Sequence, residues 1–239
     1  MPVFRLPEQD FGFPDPGLAE PDGLLAVGGD LSLRRLINAY ALGIFPWYSE
    51  GSPILWWSPE PRCILPPEEL HVPRSLRRVI NSGRFRCTMD TAFEQVIAGC
   101  AGQRSNEAGE AGTWLVPEMI DAYIELHRIG IAHSAEAWLD GELAGGVYGV
   151  SLGGAFFGES MFFRVPDASK CAFVFCVNAL RDAGFSLIDC QQETRNLLRF
   201  GAKGIPRQEF AERLERALRL PTLQGRWNEG LRALMEEYS

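Results

Sequence analysis

Apolar positions along this chain change their spacing several times, and each change predicts a different element. In GGDLSLRRLINAYALG, Leu33, Leu36, Ile37 and Tyr40 recur at helical spacing, with Asp30 or Ser32 placed to cap the start and Gly43 to end the helix. FPWYSEGSPILWWSPEPR has no such period. It gathers three Trp, a Tyr and four Pro into a stiff loop-and-strand region, in which one of Trp56 and Trp57 is expected in a core and the other at a surface. Helices are expected over Arg74–Asn81 and 91–100, and GQRSNEAGEAG, lacking an apolar period, reads as a loop. From Pro117 a further helix carries Ile120, Tyr123, Ile124 and His127 on one face until Gly130. IAHSAEAWL, ELAGGVYGVSL and AFFGESMFF, separated by DG and GG turns, predict an antiparallel meander. DASKCAFVFCVNALRDAG is helical and apolar nearly all round, capped by Asp167 or Ser169 and ended by Gly184, so it should be buried against a sheet. A strand, FSLIDCQ, and a short helix, TRNLLRFGA, follow. The last helix, IPRQEFAERLERALRL, has Pro206 in its first turn and Phe210, Leu214 and Ala217 along one side. The order predicts an α+β fold with a mixed sheet. Residues 1–66 are rich in Pro, Gly and aromatics and the rest is ordinary, which predicts a small N-terminal domain over 1–66 and a larger one over 67–239.

Two polar intrusions break the apolar pattern. In the FSLIDCQ strand, alternation puts Asp189 and Gln191 on one face and Cys190 on the other. Asp189 would then accept from the Gln191 amide and turn its carbonyl oxygen toward an incoming donor; the same acid could equally cap the next helix near Thr194. No cation stands near it in sequence. In AFFGESMFF, Glu159 sits among Phe156, Phe157, Met161, Phe162 and Phe163, where an acid is rare unless paired. Two acids around an apolar pocket would suit a ligand with an ammonium group and an apolar side chain.

Composition narrows the classes. The chain has 239 residues, 46% hydrophobic and 23% charged, a normal globular balance. No apolar run reaches the roughly 18 residues of a membrane span, and the start lacks the basic and apolar regions of a signal peptide; a cytoplasmic protein is expected. The six cysteines form no CxxC pair and, with three His, no zinc spacing, so they read as reduced core residues and no metal is expected. A formal net charge of −8 argues against a general nucleic-acid binder. One basic stretch departs from this: Arg74, Arg77, Arg78, Arg84 and Arg86, either a solvated helix face or a local phosphate contact.

Six motifs in order, GLLAVGGDLS, AYALGIFPWYSEGSPILWWSPEPR, GTW, FFGESMF, DASK and LIDCQ, together resemble bacterial leucyl/phenylalanyl-tRNA–protein transferase. The resemblance implies a cytoplasmic, monomeric aminoacyltransferase without cofactor or metal. It would move Leu or Phe, and less well Met, from aminoacyl-tRNA to proteins with N-terminal Arg or Lys, marking them for degradation. It also implies a GNAT-like acyltransferase domain behind the small N-terminal one. By residue, it places the stacking Trp at Trp47, a second aromatic wall at Trp114 with Tyr123, and Tyr40 before the PWY loop. Glu159 becomes the site acid, and Asp189 and Gln191 the catalytic pair. Val147, Phe156, Phe173, Cys176, Leu180 and Ile188 map to the Leu or Phe pocket, and Arg74, Arg77, Arg78 and Arg84 to the tRNA contact. The chain departs from the family pattern after DCQ, with Asn196 where a His is usual, then Arg199 and Phe200, and with Val147 and Cys176 smaller than the usual pocket residues. Three rivals stand beside this reading. An acyl-CoA-dependent GNAT enzyme would need a Gly-rich pyrophosphate loop, which has no convincing match here; a peptidoglycan-type aminoacyl transferase has related domains but usually a longer chain; the third is a non-catalytic tRNA or N-terminus binding module.

Overall fold

In a computed structural model the chain is described over residues 3–108, 115–229 and 231. The strands form two sheets. The smaller joins β1 (Phe4–Leu6), β2 (Leu24–Gly28), β4 (Leu55–Trp57) and β3 (Phe45–Pro46) in that order, with β1 and β2 parallel. The larger contains β5 (Arg62–Leu65), β6 (Arg86–Met89), β7 (Ala132–Leu139), β8 (Glu142–Leu152), β9 (Ala155–Phe163), β10 (Leu187–Gln191) and β11 (Lys203–Ile205). Its order is β11-β5-β10-β9-β8-β7-β6. Neighbours are antiparallel except β9 and β10. The expected α+β class, the meander and a mixed, largely antiparallel sheet are therefore all present. Strand β5 precedes position 66 and is hydrogen-bonded into the larger sheet on both its edges.

Helix α1 (Leu33–Ala41) begins at Ser32, whose side chain accepts from the Arg35 N–H, and stops where Gly43 adopts φ +71°. Helix α2 (Arg74–Asn81) has the expected bounds. Helix α3 (Phe93–Ala108) overruns the expected loop, because Gln, Arg, Glu and Ala sustain a helix without an apolar period. Helix α4 (Pro117–Arg128) buries Met119, Tyr123 and Leu126, a face rotated from the one read off the sequence; Ile120, Ile124 and His127 flank it, half-buried. Helix α5 (Ala168–Asp182) is N-capped by Asp167 at φ +70° without a side-chain capping bond; the Asp167 carboxylate accepts from Lys170 Nζ at 2.8 Å instead. Helices α6 (Arg195–Arg199) and α7 (Arg207–Ala217) follow; Pro206 is the N-cap of α7 rather than a residue of its first turn.

Alternation along the central strands sorts side chains to two faces. Tyr148, Val150 and Phe157 join α1, α3, α4 and the smaller sheet in one buried cluster. Val147, Phe156 and Ile188 join α5 in the other. Among the described residues no helix is long and apolar enough to cross a membrane.

Candidate active site

The parallel pair β9/β10 stays in register through Asp189 and Phe157, then both strands lose it. Glu159 is skipped between β8 and β9, where Tyr148 faces Ser160 and Gly149 faces Gly158. Cys190 is skipped between β10 and β5, where Asp189 faces Ile64 and Gln191 faces Cys63. Bulges bend strands and re-aim side chains. Here they fall side by side at the carboxyl ends of the parallel pair, where diverging strands leave room for a site. Gly149 makes one possible, since a Cβ on it would lie 2.2 Å from the Phe157 carbonyl oxygen.

The bulge changes the expected geometry of the pair. Gln191 adopts φ +61°, so simple alternation ends at Asp189. Asp189 Oδ1 accepts from the Gln191 backbone N–H at 2.8 Å rather than from its amide group. The amide Nε2 donates instead to Glu159 Oε1 at 2.9 Å. Gln191 thus turns its carbonyl oxygen away from the acid, as expected, but Glu159 is the acid that orients it. Among the described residues, Gln191 Oε1 has no partner.

A residue the sequence reading passed over completes the Asp189 environment. Arg62, from β5, donates through Nε to Oδ1 at 2.8 Å and through a terminal nitrogen to Oδ2 at 2.6 Å. Arg62 is 1% and Asp189 0% exposed. The rings of Phe45 and Phe210 flank the guanidinium at 4.9 and 4.5 Å. A fully buried carboxylate requires such a partner. The available signal was Arg62 itself, a cation opening the otherwise apolar run RCIL.

Among the described residues, Glu159 has no cation of its own. Tyr40 Oη donates to Oε1 and Tyr123 Oη to Oε2, each at 2.9 Å, and the two phenol oxygens lie 2.5 Å apart. Burial pushes the Glu159 carboxyl up to about 7; the phenol hydrogen bonds pull it down, the Asp189 charge raises it and Arg62 lowers it. Burial, reinforced by the Glu159 charge, lifts both phenols well above their usual range.

The remaining expected residues are distributed as follows. Val147, Phe156, Phe173, Cys176, Leu180 and Ile188 do come together, as one buried cluster with no more than 6% exposure. They form packed core here rather than the walls of an open hollow. Trp47 is exposed, with its ring 5.6 Å from that of Trp57, whose Nε1 donates to the Trp47 carbonyl at 2.7 Å. Trp56 is the core member of its pair, buried and bonded to Gly28 O. Trp114 lies outside the described residues. A cavity of about 460 Å³ runs between Tyr48, the loop 50–54 and the start of α4. A second, of about 290 Å³, lies between α2 and α5. Neither is lined by Glu159, Asp189 or Gln191; the cluster reaches the surface through half-buried Gln191 and Cys190. Arg74, Arg77, Arg78, Arg84 and Arg86 are all exposed, and among the described residues none pairs with a carboxylate. No described group of three His, Cys, Asp or Glu is arranged to hold a metal.

A family model described as leucyl/phenylalanyl-tRNA protein transferase matches residues 64–215, and a model of that family's N-terminal domain matches 29–60. The leucyl/phenylalanyl-tRNA–protein transferase of Anaeromyxobacter sp. (strain K) is 61% identical over 230 residues, covering 96% of this chain and 97% of that one. The corresponding protein of Oleidesulfovibrio alaskensis is 56% identical over 241 residues, covering 98% and 96%. Among solved structures, a GCN5-related N-acetyltransferase from Kribbella flavida aligns over 70% of this chain and 59% of its own, at 14% identity and a TM-score of 0.36.

Proposed function

The chain belongs to the leucyl/phenylalanyl-tRNA–protein transferase family, and on that premise we infer how its site moves an aminoacyl group from tRNA to the N-terminus of a protein. The acceptors are proteins beginning with Arg or Lys, the transferred residue is Leu or Phe, and the product is a degradation signal read in the cytoplasm. The division between the two parts of the chain falls between Trp57 and Arg62, where the strands change sheet.

The reaction is aminolysis of an ester: an α-amine attacks the aminoacyl carbonyl and the ribose hydroxyl leaves. An α-amine has a pKa of about 8, so part of it is neutral at cellular pH and no strong base is needed to start. Positioning then dominates, and holding the reactants together is worth about 7–11 kcal/mol of the barrier. Gln191 meets the attacking amine with its carbonyl oxygen. Asp189 fixes the Gln191 backbone, and Arg62 fixes Asp189. The proton leaves to the ribose oxygen or to water. Trp47 stacks on the terminal adenine, worth about 1–3 kcal/mol, and Arg74, Arg77, Arg78 and Arg84 meet phosphates. Val147, Phe156, Phe173, Cys176, Leu180 and Ile188, packed as core in the free protein, are the apolar residues that would give way to the transferred side chain.

The observation that carries this reading is the amide of Gln191, held by Glu159 at 2.9 Å with its oxygen left free. The test is incubation of the purified protein with labelled Leu-tRNA and an Arg-initiated peptide, with and without acetyl-CoA. Label should reach the peptide in both arms. Acetyl-CoA dependence, or tRNA binding without transfer, overturns the assignment.

A further inference from the structure

Tyr40, Tyr123 and Glu159 close a triangle of oxygens, with contacts of 2.5, 2.9 and 2.9 Å. Each contact is a hydrogen-bond distance and needs one proton between its oxygens. The two phenols bring one proton apiece. With Glu159 ionised, two protons must serve three contacts, and the contact left over sets lone pairs against each other. All three side chains are no more than 7% exposed, so water is poorly placed to relieve that contact. A proton on Glu159 removes the deficit by reversing one bond: Glu159 Oε2–H then donates to Tyr123 Oη, which donates to Tyr40 instead of to Oε2, while Tyr40 still donates to Glu159 Oε1. Gln191 Nε2 also donates to Oε1, which makes Oε1 the carbonyl oxygen and Oε2 the protonated one.

We propose that Glu159 works as a neutral carboxylic acid, closing a three-proton ring with Tyr40 and Tyr123 that holds the Gln191 amide in its productive orientation. The groups around it leave no net positive charge to keep a second carboxylate ionised. Tyr40 comes from α1, Tyr123 from α4, and Tyr148 from β8, edge-on to Tyr123. Asp189 and Gln191 come from β10, and Arg62 from β5 is already committed to Asp189. Burial of the Glu159 carboxyl acts in the same direction. Glu159 is thereby a positioning residue and makes a poor anchor for an ammonium group. The catalytic consequence rests on the reading of Gln191 given above; the protonation does not.

The two are tested separately. In the whole protein labelled at glutamate ¹³C-carboxyls, the resonance missing from Glu159→Gln identifies Glu159. It should titrate well above the ordinary glutamate pKa of about 4.3; a resonance already ionised at about pH 6 overturns the proposal, whatever the transfer assay gives. In transfer assays near pH 6.5, Glu159→Gln, which can mimic the acid, should exceed Glu159→Ala by about tenfold or more, since misplacement of a reacting group by an ångström costs up to about 100-fold. Loss of activity above neutral pH in the parent protein should disappear in Glu159→Gln. Equal impairment of the two variants with an unaltered alkaline limb overturns the ring and favours an anionic Glu159 that grips an ammonium.

Discussion

The two carboxylates of this site are neighbours buried by opposite means. Asp189 is set in a cationic pocket made by β5, with Arg62 clamped between two phenyl rings. Glu159 is set in a phenolic pocket made by α1 and α4. The first environment supplies a bidentate cation; the second supplies phenols and burial, which favour the neutral form of Glu159. One amide, Gln191, spans them, tied by its backbone to the ionic side and by its side chain to the phenolic side. Two buried carboxyls with such different partners can take different roles in one site.

The largest effect should come from breaking the ionic side. Arg62→Ala leaves Asp189 buried and unpaired, and should cost about 3–5 kcal/mol in denaturant unfolding. Replacing both partners with apolar residues of similar volume should restore most of that; failure to do so would mean that the pair contributes more than mutual neutralisation. On the phenolic side the contrast is one of pH. Glu159 has a folded pKa raised above its unfolded value, so the folded state holds the extra proton and loses stability as pH rises from about 4.5 through about 7. Glu159→Gln lacks that loss. It should therefore gain up to about 3 kcal/mol over the parent protein by pH 8–9, and nothing at pH 4, in thermal melts across pH. Gln191→Ala should lower kcat by about 100-fold while leaving aminoacyl-tRNA affinity nearly intact. Equal loss in tRNA binding would place Gln191 in recognition rather than in chemistry. Smallest are the surface charges outside both pockets. Arg74→Ala and Arg78→Ala should each weaken tRNA binding by about 1 kcal/mol and reduce its salt dependence, read in binding isotherms at several ionic strengths.

Local pattern carried much of this structure. The meander, the bounds of α2 and the all-round apolar α5 follow from spacing and turn residues, because those signals are local. Glu159, Asp189 and Gln191 stood out because polar residues in apolar strands need partners. What escaped was the identity of those partners. Arg62 lies 127 positions from Asp189, and only the strand order β5-β10 brings them together. The left-handed Gln191 escaped for a related reason. Alternation assumes a regular strand, whereas bulges are set by the strands alongside. The wrong face read for α4 has the same origin: its period was right, but which stripe turns inward depends on the neighbours it meets.

Tyr40 and Phe45 both arrive from the stretch before β5, yet one bonds Glu159 and the other covers Arg62. The centre is therefore a seam between the two parts of the chain. A fragment beginning at β5 would retain Glu159, Asp189, Gln191 and their arginine, but its acid would lose one phenol and its guanidinium one ring. Lineages that shuffle the larger sheet alone would inherit the letters of the catalyst without its scaffolding, so the two halves are bound to travel together.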